Sequence, residues 1–316
     1  MKKHFKKLLL MALMAVMAVG LIACGTDKSD NESTKEEKTS VTITSLDASK
    51  NEIELEVPYN PKRIAILDLA SLDIIDELGV GDRVVGMAST SIDYLEKYSN
   101  DASIKNLGTI KEADLEAVME CEPDIIFIGG RLSKSYDALS EIAPVVYLAT
   151  DTNEGLVNSV SKNAKTIASI FGMEDKVDSL MSDFGARIDA IKKISSGKTA
   201  LVGMTTSGSF NLLGNDGRCS LIGVEAGFNN LTAAGSTSTH GNESSFETVV
   251  QQNPDYIFVM DRDSAISTAG AKTAKEIVEN ELVKTTDAYK NNHIIYLEHS
   301  NVWYTAEGGI QALDIM

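Results

Sequence analysis

Alternating apolar and polar positions over Val41–Thr44 and Ile53–Val57 predict a short opening hairpin. From Arg63 onward, strand-like apolar runs alternate with helical patterns. Arg63–Leu67 precedes a helix reaching Leu78, and Val84–Met87 precedes another short helix. Asp124–Ile128 leads into a helix around residues 133–142, and Val145–Leu148 closes the set. Strand and helix in succession imply βα units and a mainly parallel sheet. Strand character then disappears over residues 154–195. Leu156, Val160, Ala164, Ile167 and Ile170 recur at helical spacing, as do Val177, Leu180, Phe184, Ile188 and Ile191. Gly172 separates the two patterns, and the second reads as one helix of about 20 residues and ~30 Å. Strand–helix alternation resumes at Thr199–Met204. The pattern predicts an α/β protein of two similar lobes with mainly parallel central sheets, residues 41–172 and 196–316. One long connecting helix, residues 173–195, joins them.

The lobes also share a repeat. Asp114–Arg131 aligns without gaps to Ser245–Arg262 at an offset of 131 residues, with seven of eighteen positions identical. Glu116/Glu247, Pro123/Pro254, Asp124/Asp255 and Arg131/Arg262 are among the identities. Any helix-Pro-Asp-strand unit converges on the apolar part of this pattern. The arginine after the strand is not explained that way.

Charge changes the picture at the N-terminus. Residues 1–23 hold Lys2, Lys3, Lys6 and Lys7 and no acid, followed by an apolar run from Leu8 to Ile22. A positive start, a short apolar stretch and small residues before a cut describe an export signal. The run is too short for a comfortable span of about 20 residues. Leu21-Ile22-Ala23-Cys24 resembles a lipobox, which makes Cys24 the expected lipidation site and residues 1–23 the discarded signal peptide. Acyl chains on one residue contribute about 0.8 kcal/mol per buried CH₂, enough together for a stable membrane anchor. Residues 24–40 contain no large apolar side chain and read as a disordered tether, roughly 50 Å long at about 3.3 Å per residue. Cys121 and Cys219 fall in different halves and read as buried small residues.

The whole chain carries a formal charge of −17. Without the signal, 25 basic residues face 46 acidic ones, a net of −21. Such a balance excludes a general nucleic-acid binder. Catalytic motifs also fail. Gly197-Lys198-Thr199 ends like a phosphate loop, but the motif needs glycine where Lys192 stands. Gly79-Val80-Gly81 begins a dinucleotide fingerprint that lacks its third glycine, and no G-x-S-x-G or H-E-x-x-H occurs. Six arginines remain against 23 lysines, and Arg131, Arg218 and Arg262 each follow a strand-like run. Ligands of open α/β sheets bind beyond the carboxyl ends of strands, so the three are expected to face one crevice. Their planar donor forks suit anionic oxygens. His240 sits in a loop of small polar residues, and Tyr304 follows Trp303, the only tryptophan. Imidazole and phenolate are both ligands that Fe³⁺ accepts. Sequence spacing does not bring them together.

This combination resembles the iron-siderophore-binding lipoproteins of ABC importers, which have a helical-backbone periplasmic-binding fold. The runs that carry the resemblance are Asn106–Glu116, Thr239–Gly241, Asn253–Arg262 and Trp303–Tyr304, and they are similar to the catecholate subgroup. The resemblance implies a monomeric, non-enzymatic receptor that delivers a ferric catecholate siderophore to a permease and holds no permanent cofactor. It implies that Arg131, Arg218 and Arg262 contact catecholate oxygens beside Trp303. His240 and Tyr304 would complete the iron sphere of a tetradentate siderophore. Glu116 and Glu247 match glutamates that dock onto the permease, although a first-turn helix glutamate is also ordinary. The same scaffold with a hydroxamate siderophore, haem or a corrinoid is the nearest alternative. An anchored enzyme is a further one, without a nucleophile–base pair to support it. The long closing helix of the family is shortened here to residues 311–316, or the sequence is a fragment; a short helix is expected to weaken packing of the second lobe.

Overall fold

Residues 38–233 and 237–316 are described in the computed structural model. The signal peptide 1–23, Cys24 and nearly all of the tether lie outside the described residues; the tether's expected end at residue 40 already belongs to a strand. Strands β1 (Ser40–Leu46) and β2 (Glu52–Pro58) form the opening hairpin, with Val41 opposite Val57. It is held to the first lobe by Ser45, whose Oγ accepts the Tyr147 amide at 3.0 Å.

The first lobe is built on β3 (Ile64–Leu67), α1 (Leu69–Glu77), β4 (Val84–Met87), β5 (Lys105–Asn106), the small hairpin β6 (Gly108–Thr109) and β7 (Glu112–Ala113), α2 (Leu115–Glu120), β8 (Ile125–Ile128) and β9 (Val145–Tyr147). Its sheet has the order β5-β4-β3-β8-β9 and is parallel throughout. Alternate residues of a strand supply opposite faces. Ile64, Ile66, Ile125 and Phe127 enter one buried cluster, and Ala65, Leu67, Ile126 and Ile128 enter another. Burial on both faces explains why these strands read as unbroken apolar runs.

Helix α3 (Leu156–Phe171) packs against α1 and β1 and ends at Gly172, whose φ of +66° is the left-handed geometry glycine takes at a helix end. The expected single connecting helix is instead two, α4 (Glu174–Met181) and α5 (Phe184–Ser195), parted by a turn at Ser182–Asp183. There the Ser182 hydroxyl donates to the Ser179 carbonyl at 2.9 Å, taking an acceptor from the helical ladder. Periodicity does not register such a break, because the apolar stripe continues across it.

The second lobe contains β10 (Thr199–Thr206), β11 (Ser209–Leu213), α6 (Ser220–Val224), β12 (Asn229–Asn230), β13 (Asn242–Glu243), α7 (Phe246–Gln252), β14 (Tyr256–Asp261), α8 (Arg262–Ala265), β15 (Ile294–Tyr296) and α9 (Ser300–Thr305). Its sheet runs β13-β11-β10-β14-β15, with β12 also pairing β10. Strands β10, β14, β15 and β12 are parallel, β11 runs antiparallel to β10, and β13 pairs antiparallel with β11. The repeat has a structural counterpart in both lobes. Asp124 Oδ2 accepts the amides of Lys62 and Arg63 ahead of β3, and Asp255 Oδ2 accepts the amide and hydroxyl of Thr199 at the start of β10. Glu122 and Asn253 both precede the shared proline region with positive φ, 43° and 41°.

The chain then recrosses. Helix α10 (Ile310–Ile315) packs on α1 and α3 of the first lobe. Helix α10 therefore bears on the first lobe. One buried cluster runs through both lobes, from Ile64 and Leu72 through Ala164 to Met204, Trp303 and Leu313.

Candidate functional site

Strands β8 and β14 end at the same edge of their sheets as the repeat requires, and each hands the chain to an arginine. Arg131 follows β8 on an exposed 3-10 turn, and Arg262 opens α8 after β14. Arg218 arrives differently. It follows β11, which is antiparallel, so the carboxyl-end rule does not place it; the Gly214–Cys219 loop turns it toward the crevice. The three guanidinium carbons lie 5.5, 4.5 and 5.6 Å from the centre of the Tyr304 ring. Arg131 Nη2 donates to the Tyr304 carbonyl at 3.1 Å, across the lobes. Arg262 Nε donates to the Tyr304 hydroxyl at 3.2 Å. Arg218 Nη1 donates to the Thr239 carbonyl at 2.8 Å, tying the His240 loop to the same centre.

Cations over an aromatic face are favourable, but three around one ring repel each other. Arg262 has a compensating partner in Asp263, buried at 4% exposure and 3.3 Å away. Arg131 is pushed below its ordinary value by burial and then by Arg218, with Tyr304 and Asp68 opposing. Burial raises the Tyr304 phenol, but the Arg262 hydrogen bond and the charges of Arg218, Arg262 and Arg131 outweigh it and hold the phenol below its usual value. His240 is exposed, and its imidazole is lowered by burial and then by Arg262, Arg218, Lys111 and Arg131.

The structure thus brings Arg131, Arg218, Arg262, Tyr304 and His240 to one locality. Trp303 is not part of it. Both aromatics are 4% exposed, but only Tyr304 lines the crevice cavity; neighbours on a helix point about 100° apart, so Trp303 packs in the shared core. Glu116 and Glu247 stand exposed in the first turns of α2 and α7, behind the side-chain caps of Asp114 and Ser245.

A cavity of about 450 Å³ opens beside Arg131 and Arg218, lined also by Asp68, Asn163, Tyr304 and Glu307 among others; Arg262 and His240 are not on its wall. Sequence reasoning missed three charged groups here. Asp68 caps α1 and is raised by burial, ahead of its Ser71 hydrogen bonds and the Arg131 charge. It follows β3 directly, so the rule that found Arg131 also reaches it. Glu307, which accepts the Cys219 amide at 2.8 Å, is pushed by burial to about 7. Lys111, on the β6–β7 turn of the first lobe, acts on His240 of the second. It lies within the Asn106–Glu116 run, but nothing in the run's pattern singles it out. Cys121 and Cys219 are buried free thiols.

The model of the periplasmic binding protein family matches residues 64–300. The petrobactin-binding protein YclQ of Bacillus subtilis is 36% identical over 98% of this chain and 96% of its own length. Its crystal structure superposes with a TM-score of 0.80 over 87% of this chain and 95% of that one. The periplasmic catecholate-siderophore binding protein VctP of Vibrio cholerae is 31% identical, with a TM-score of 0.78 over 87% of this chain and 98% of its own. The ferric-anguibactin-binding protein FatB of Vibrio anguillarum is 26% identical over 82% of this chain and 81% of its length. Two α/β lobes on a helical connection, a repeat that carries one arginine into the crevice from each side, and these relatives agree: the chain belongs to the periplasmic binding protein family.

Proposed function

We propose that this protein captures a ferric siderophore with catecholate oxygens between its lobes and presents it to the permease of an ABC importer. The observation that carries the reading is the convergence of three guanidinium groups, from both lobes, on Tyr304. Such a centre is matched by a ligand with several anionic oxygens, which would replace cation–cation repulsion with charge-assisted hydrogen bonds. Lys111 adds a fourth cation from the first lobe. The ligands named for YclQ and VctP support the same chemistry. No covalent step is involved.

For a siderophore offering only four oxygens, His240 and Tyr304 complete the iron sphere. His240 is exposed, whereas Tyr304 faces the cavity at 4% exposure with its hydroxyl bonded to Arg262. Glu116 and Glu247 dock the two lobes on the permease, and lipid on Cys24 tethers the monomer to the cell membrane on its outer side.

The test is titration with ferric bis-catecholate, ferric tris-catecholate, a ferric hydroxamate, haem and cobalamin while following Trp303 emission. Quenching by a catecholate complex at the lowest concentration is expected. Tight binding of another ligand with no response to either catecholate overturns the reading.

A further inference from the structure

The crevice is made by two lobes, so its charge pattern exists only while their spacing holds. Two helix starts near the crevice have no cap in their own sequence. Helix α3 begins after Gly155, which has φ +83° and no side chain to offer. Helix α10 begins after Gly309, likewise without a side-chain cap. In each case a carboxylate from across the lobe boundary supplies what is missing.

Glu225, at the end of α6 in the second lobe, accepts the Val157 amide of α3 at 2.6 Å, and the Leu156 amide also bonds to it. Its other oxygen, Oε2, is buried with no protein partner, a penalty that an apolar residue at this position would avoid. Asp73, on α1 of the first lobe, is fully buried and receives α10, the segment that returns from the second lobe. Its Oδ1 accepts the Gln311 amide and its Oδ2 the Ala312 amide, both at 2.9 Å, with the Tyr94 hydroxyl donating to Oδ2 at 2.7 Å. The crossing is close-fitting. A Cβ on Gly309 would meet the Asp73 Cβ at 2.7 Å, and one on Gly308 would meet the Ala70 Cβ at 3.1 Å.

Both contacts border the binding crevice. Leu156, at the capped start of α3, lines the cavity, as do Ala70, Glu307 and Gly308 beside the Asp73 crossing. Tyr304 lies five residues before Gly309 on the same returning segment.

We propose that Asp73 and Glu225 are positioning residues of the binding site: reciprocal caps across the lobe boundary that hold Arg131 at its spacing from Arg218 and Arg262. They touch no ligand. Their effect on binding runs through lobe geometry, and the binding arm of the test rests on the function proposed above.

The test uses the full chain in detergent, with Asp73→Ala, Glu225→Ala and the double variant. Removing the acceptor of buried amides is expected to weaken binding of ferric bis-catecholate about 5-fold in each single variant, and more in the double. Amide exchange at residues 156–157 and 311–312 rises, and small-angle scattering of the ligand-free double variant shows a larger radius of gyration. Val118→Ala, in the core of the first lobe away from the crossing, lowers melting temperature but leaves affinity and radius unchanged. Asp73→Asn and Glu225→Gln, which keep an acceptor oxygen, recover part of the lost affinity. Wild-type affinity and radius in the double variant overturn the proposal, as does an equal loss of affinity in Val118→Ala. If the wild-type chain binds no catecholate complex, the functional reading fails instead, and an unchanged radius alone then decides against the caps. If the double variant fails to fold, the single variants carry the same comparison.

Discussion

Tyr304 receives a hydrogen bond from Arg262 and lies under three guanidinium groups, an environment that favours its phenolate. Its net shift is downward even though burial alone would raise it. Phenols remote from cations need high pH to ionise, so the 295 nm absorbance of the protein should show a component titrating below the other tyrosines. Tyr304→Phe should remove that component. The same depression makes ligation of ferric iron easier, since less work is needed to lose the proton. With the tetradentate catecholate complex, Tyr304→Phe should therefore shift the charge-transfer band, and an unchanged spectrum would reject direct ligation. The residue itself is legible in the sequence as an aromatic after a strand. Its neighbour Trp303 does not reach the cavity wall: two adjacent aromatics differ only in helical phase, and the boundary of α9 that sets the phase carries no local signal of which one lines the cavity.

At the level of elements, the repeated helix-Pro-Asp-strand-Arg unit explains both what was legible and what was not. Its aspartates do the same work in both lobes, fixing the start of the neighbouring strand, so that the arginine at the far end of β8 or β14 emerges at a set height. Asp255 is held below its ordinary value by the Thr199 amide and hydroxyl bonds, against a smaller effect of burial. Its stabilisation is accordingly present above the ordinary carboxylate range and lost as pH falls through the depressed value. Asp255→Ala should destabilise the chain by about 1–2 kcal/mol near neutral pH, the scale of lost hydrogen bonds to a charged acceptor, and the difference should shrink in acid. Denaturant melts at pH 7 and pH 3 check this; an equal difference at both would remove the carboxylate from the account. Parallel βα units are visible in sequence because their period is local. The antiparallel β11, the break at Ser182 and the return of α10 are not, since pairing direction and lobe membership depend on contacts distant in the chain. Arg218 was placed by a rule that its own strand does not obey.

At the scale of the whole molecule, the acidic balance and the cationic crevice act at different ranges. The net charge screens out over about 10 Å at ordinary salt, whereas the arginines act at contact distance on whatever enters. What leaves the lobes exposed is equally paired. Glu116 and Glu247 occupy equivalent first-turn positions in the repeat, one on each lobe, and both are exposed. A partner that reads both at once reads the spacing between the lobes, so two single charges become a gauge of the ligand-loaded arrangement. Replacing both with glutamine should lower siderophore-dependent iron uptake by about tenfold or more while leaving affinity for the ferric complex unchanged, with each single variant intermediate. Charge at an interface rim mainly affects encounter and register, so raising ionic strength should slow uptake by the wild type and have little effect on the double variant. Uptake by the double variant at the wild-type rate, in cells with matched protein levels, would assign both glutamates to helix capping alone.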